Sequence, residues 1–83
     1  MFYVYILLLS NKQLYTGKTE DLARRYQEHK RGNVKSTQHR RPLKIIHYEA
    51  YLMKSDAVRR EKFLKTTEGK RLLRQQIRDT LQE

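Results

Sequence analysis

The stretch Tyr15-Thr16-Gly17-Lys18-Thr19-Glu20-Asp21-Leu22-Ala23-Arg24-Arg25-Tyr26-Gln27-Glu28-His29 decides how this chain folds. Tyr15 ends a short β-prone run and Gly17 is read as the break after it. Thr19 is a good N-cap residue, and Glu20 and Asp21 suit the positive end of a helix, so the pattern predicts a helix starting near Thr19. On that helix Arg25 and His29 stand one turn apart on one face, and Leu22 and Tyr26 form the apolar stripe beside them. A cation and an imidazole therefore line the edge of the face that packs on the core.

Upstream, Met1 to Ser10 alternates Phe2, Val4, Ile6 and Leu8 with Tyr3, Tyr5, Leu7 and Leu9. Both faces are apolar, the mark of a central strand covered on both sides. Ser10 to Gln13 is a polar turn, and Leu14 to Thr16 is the hairpin partner. Downstream, Gly32 and Asn33 stop the helix. Pro42 leads into a third strand, Leu43 to Glu49, expected to pair with the first. Ser55 and Asp56 open a second helix running to about Lys65, with Ala57, Glu61 and Leu64 on one face. Glu61 thus falls within an apolar stripe, where a carboxylate needs a partner such as an Arg, backbone donors or a metal. Thr66 to Gly69 interrupts that helix, and Leu73, Ile77 and Leu81 make the stripe of a third that closes the core. The expected architecture is α+β, a three-stranded antiparallel sheet flanked by helices in the order β-β-α-β-α-α, with residues 1–83 forming one domain.

Eighty-three residues bury about 60% of the surface of the unfolded chain, leaving little room for a second elaborate site. With no cysteine, neither disulfides nor a thiolate metal site supports the core, and a reducing cytoplasm is compatible. The longest apolar run, Phe2 to Leu9, falls well short of the roughly 20 residues that span a bilayer, and no signal peptide is visible. Nineteen Lys and Arg against nine Asp and Glu give a formal charge of +10 and point to a polyanionic partner. An interfacial membrane helix wants Trp or Phe, and the chain has no Trp and two Phe, so nucleic acid fits better than membrane. From His29 to Tyr48 there are six Lys or Arg, all three histidines and no acid. Within that segment Lys30, Arg31, Lys35, His39, Arg40 and Arg41 are the expected phosphate track, with Lys18 as a further contact near the helix N-terminus.

Tyr3-Val4-Tyr5, then Tyr15-Thr16-Gly17 ten residues later, then Arg25, His29 and Glu61, resembles the GIY-YIG nuclease family in order and spacing. More narrowly, the chain is similar to the small stand-alone proteins related to the nuclease domain of the excinuclease C subunit. Two departures stand out: Tyr3 replaces the glycine of the first triplet, and no asparagine follows Asn33, where family members often carry one near the site. The resemblance implies a metal-dependent DNA endonuclease of repair, recombination or processing, with catalytic residues Tyr5, Tyr15, Arg25, His29 and Glu61. Tyr15 acts as general base on the attacking water and Tyr5 orients it. A free tyrosine titrates near 10, so Arg25 and Lys18 are expected to favour the phenolate. Arg25 clamps the scissile phosphate with its planar fork, His29 shuttles a proton or contacts phosphate, and Glu61 holds a single Mg²⁺ or Mn²⁺. No small-molecule cofactor is implied. The alternative is a non-catalytic nucleic-acid-binding module, or an accessory subunit of a larger repair or mobile-element protein.

Overall fold

The computed structural model describes residues 1–82. Three strands, β1 (Phe2–Leu8), β2 (Leu14–Thr19) and β3 (Lys44–Tyr51), form an antiparallel sheet in the order β2-β1-β3. The doubly apolar first strand is central, as its pattern requires, and the third strand pairs with it. Helix α1 (Leu22–Lys30) lies between β2 and β3 in the chain, and α2 (Lys54–Leu64), α3 (Thr67–Gln76) and the short α4 (Arg78–Leu81) follow β3. The order is β-β-α-β-α-α-α: the expected third helix is divided at Ile77, whose φ of −108° and ψ of 29° leave the helical region.

The sheet separates two apolar layers. On one face Val4 and Ile6 pack with Ala57 and Leu64 of α2, Leu73 of α3, and Ile77, joined by the partly buried Leu81, so the third stripe does close this core. On the other, Tyr5, Leu7 and Leu9 pack with Leu43, Ile45, Tyr15 and the Leu22–Tyr26 stripe of α1. Each buried aliphatic or aromatic side chain contributes roughly 1.5–3 kcal/mol.

Five local readings change. Gly17 does not break β2; it lies inside the strand, directly opposite Tyr5. Thr19 does not cap α1: its hydroxyl accepts from the Asp21 amide in a turn, and Asp21 is the N-cap, accepting from the Arg24 amide at 3.1 Å. Helix α2 begins at Lys54, one residue before Ser55, and β3 starts at Lys44, one residue after Leu43, and ends at Tyr51, two residues beyond Glu49. Thr66 does end the second helix, but as the N-cap of α3, accepting from the Gly69 amide, so Thr67 to Gly69 are helical.

A polar bracket ties β3 to α2. Glu49 accepts from both Nε and Nη2 of Arg60 (2.8 and 3.1 Å) and from the Tyr51 hydroxyl (2.6 Å), and pairs with His47 Nε2 (3.0 Å). Burial alone would raise the Glu49 carboxyl; the donors from Arg60, Tyr51 and His47 outweigh it and bring the pKa down to about 2.

Candidate active site

Register places the centre of the site. Tyr5 of β1 faces Gly17 of β2, and a Cβ at residue 17 would overlap the Tyr5 ring at Cζ and Oη. Only glycine lets the phenol lie across the neighbouring strand. There Tyr5 Oη meets His29 Nε2 at 2.8 Å, with the two rings edge to face, their centroids 5.6 Å apart. His29 is fully buried, its other nitrogen, Nδ1, 2.8 Å from the equally buried Thr37 hydroxyl. Tyr15 presents its ring to the same imidazole at 5.3 Å and accepts a long hydrogen bond from Ser36 at 3.4 Å.

Arg25 extends from α1 close enough to the Tyr5 phenol to favour its ionised form, and its Nη1 is held by Glu28 Oε1 at 3.0 Å. Its side chain is 36% exposed, so part of the fork stays open to an incoming anion. Glu61 on α2 is near enough for its charge to act on Tyr5. Its side chain is 18% exposed and its ion-pair partner is Lys65, 3.4 Å away and 58% exposed. The partner demanded by its inward position is thus a solvated lysine rather than a buried arginine.

Burial pushes the Tyr5 phenol up to about 12, against the opposing pull of the nearby Arg25 guanidinium. Burial, helped by the Arg25 cation, brings His29 down to about 4, so at neutral pH the imidazole is neutral and both nitrogens serve internal hydrogen bonds. The expectation that His29 contacts phosphate is corrected: a group with no exposed surface and both nitrogens occupied reaches no backbone.

Lys18 is corrected too. It lies inside β2, paired with Val4 on the face opposite Tyr5, and lines a small hollow with Phe2, Thr19, Glu20 and Lys54, on the other side of the sheet from the Tyr5 phenol. The basic segment is folded into turns, with Thr37 and Gln38 amides on the Val34 carbonyl, Arg40 on Thr37, and Val34 and Thr37 buried. Lys30, Arg31, Lys35, His39, Arg40 and Arg41 are all exposed. Arg41 also acts as a brace, donating to the Gln38 and Lys30 carbonyls at 3.0 and 3.2 Å across Gly32, which takes a positive φ of 81°. Thr37, Glu28 and Ser36 escaped the sequence reading. Glu28 alone carried a local signal, its i, i+3 spacing from Arg25.

Residues 1–75 match the GIY-YIG catalytic domain family. The chain belongs to the GIY-YIG family. It therefore belongs among nuclease domains, and the resemblance first drawn from two triplets and three single residues holds along nearly the whole chain. Among its GIY-YIG relatives, a UPF0213 protein of Haloquadratum walsbyi is 42% identical over 65 residues, covering 77% of this chain and 73% of its own. One from Staphylococcus aureus is 40% identical over 73 residues, covering 87% and 89%. The solution structure of a UPF0213 protein from Bacillus halodurans superposes with a TM-score of 0.57 at 35% identity, covering 88% of this chain and 82% of that one.

As a metal site, the GIY-YIG centre offers the Glu61 carboxylate, since Glu28 is committed to Arg25. Among the described residues no three His, Cys, Asp or Glu side chains cluster to hold an ion. A lone, partly exposed carboxylate with a weak lysine partner fits Mg²⁺ or Mn²⁺, hard ions that keep most of their shell for water and phosphate. Among the described residues no helix is long and apolar enough to cross a membrane.

Proposed function

We propose that this protein is a DNA endonuclease that hydrolyses a phosphodiester at the Tyr5, Tyr15, Arg25, His29 and Glu61 centre. The observation that supports it best is the convergence of side chains from two strands and two helices around the Tyr5 phenol, where Tyr15, His29, Arg25 and the Glu61 charge gather. Arg25 binds the non-bridging phosphate oxygens, its fork aligned by Glu28. Tyr15, held only by a long contact from Ser36, first releases its hydroxyl proton to solvent; water then attacks phosphorus and passes a proton to the Tyr15 phenolate. The P–O bond opposite breaks and the departing oxygen is protonated from solvent. Tyr5, held by neutral His29 and kept protonated by burial, positions the water and Arg25 rather than acting as base. A divalent cation held by Glu61 would neutralise charge developing on the phosphoryl group.

Incubation with supercoiled, linear, single-stranded and branched DNA tests this. Cleavage of at least one form with Mg²⁺ or Mn²⁺, abolished by EDTA, is expected; no cleavage of any form in either metal would return the chain to the non-catalytic binding module.

A further inference from the structure

Beside the catalytic centre an open trough of about 490 Å³ runs between the sheet and α1, and the catalytic reading makes no use of it. Its walls are Tyr3, Leu22, Tyr26, Ile45 and Tyr48. The Tyr3 and Tyr48 rings stand edge to face with centroids 6.2 Å apart, and Tyr48 is 57% exposed, an unusual place for a large aromatic on an edge strand. Lys30 sits over the Tyr26 ring, 5.1 Å from its centroid. The charged groups that line the trough are two carboxylates, Glu20 and Asp21. Phosphate is repelled from such a mouth. A flat, uncharged ring bearing amino groups is not, since its faces stack on tyrosine and its N–H groups donate to carboxylate.

Position then names the occupant. Tyr3 precedes Tyr5 by two residues on the same face of β1, about 7 Å along the strand, and Tyr26 follows Arg25 on α1. A strand whose phosphate lies on Arg25, with its backbone along the exposed cations of residues 30–41, brings an adjacent base over the trough. The volume lies in the range of small-ligand sites. We infer that the Tyr3, Tyr26 and Tyr48 trough receives one unpaired nucleobase next to the scissile phosphate, so the substrate is DNA carrying an unpaired nucleotide rather than intact duplex. The inference rests on the proposed nuclease reading, and it gives a purpose to Tyr3, which stands where the first family triplet has glycine.

The chain has no tryptophan, so Tyr48→Trp installs a sole reporter at an exposed position. In EDTA, where cleavage plays no part, gapped or flapped DNA should quench its emission at least twofold and blunt duplex of equal length should leave it unchanged, with fluorescence anisotropy of labelled DNA reporting binding in parallel. Binding without quenching, or equal quenching by both DNAs, overturns the trough inference and leaves the nuclease reading standing. Quenching by unpaired DNA in a protein that never cleaves supports the trough and sinks the nuclease reading instead. A second measurement needs no tryptophan: with 2-aminopurine as the unpaired base, Tyr3→Ala and Tyr48→Ala should each lower affinity for gapped DNA about tenfold relative to the unsubstituted protein while duplex affinity holds. Equal losses on both DNAs would overturn it.

Discussion

His29 and the two inward glutamates carry the sharpest residue-scale consequences. The folded-state pKa of His29 lies near 4, below its unfolded value of about 6.5, so the unfolded chain takes up a proton first as pH falls. Stability should therefore be full above pH 6.5 and decline towards pH 4, by about 3 kcal/mol if the full shift operates. Chemical denaturation across that range should show the decline, and His29→Gln should be less stable at pH 7 but flatter between pH 6.5 and 4. Glu49 loses its contribution in a lower window, as pH falls from about 4.5 towards 2. The two glutamates also separate by substitution. Glu49→Gln disrupts a part-buried arginine pair and should cost roughly 3 kcal/mol in thermal melts, with or without metal. Glu61 faces an exposed lysine, so Glu61→Gln should cost less than about 1 kcal/mol in EDTA while abolishing divalent-dependent cleavage. A large metal-independent loss at Glu61 would assign it to structure.

At the scale of elements, what was legible followed from periodicity and what was not followed from contacts between elements. The two apolar faces of β1 announced a central strand, and the Leu22–Tyr26 and Leu73–Ile77–Leu81 stripes announced the helix faces that cover it. Gly17 was misread because its requirement comes from the Tyr5 ring on the facing strand, which no local pattern encodes. Thr19 and Asp21 are both capping residues two apart, and only the fold selects Asp21. The Glu49 bracket and Thr37 stayed hidden for a similar reason: each acts across a gap of eight or eleven residues between separate elements. Of the site, Tyr5, Tyr15 and His29 do lie together, whereas of the two roles the resemblance left to His29, contact with phosphate does not suit a fully buried ring. A prediction belongs here. Gly17→Ala should displace the Tyr5 phenol from His29, lower the melting temperature and reduce cleavage, whereas Ala at Thr16, whose side chain is on the other face of β2, should leave cleavage near normal. Equal activity in Gly17→Ala would show that the ring need not cross the strand.

Over the whole molecule a charge of +10 on 83 residues is spread so that the acid-free segment follows the site directly. DNA affinity should therefore fall steeply with salt, by about one decade of affinity per decade of salt for each phosphate engaged, with weak sequence preference. Lys35→Ala and Arg40→Ala should each weaken binding uniformly across sequences and lower that slope, whereas Arg41→Ala should also loosen the loop that Arg41 braces. A nearly salt-independent affinity would remove the phosphate track. The central claim is that this small basic domain hydrolyses DNA through Tyr15, and single-turnover cleavage by Tyr15→Phe, measured with DNA affinity on the same samples, tests it most directly. The phenylalanine keeps the ring against His29 and removes only the hydroxyl. Cleavage reduced by at least a hundredfold with affinity unchanged is the predicted result; cleavage at the wild-type rate would contradict the account.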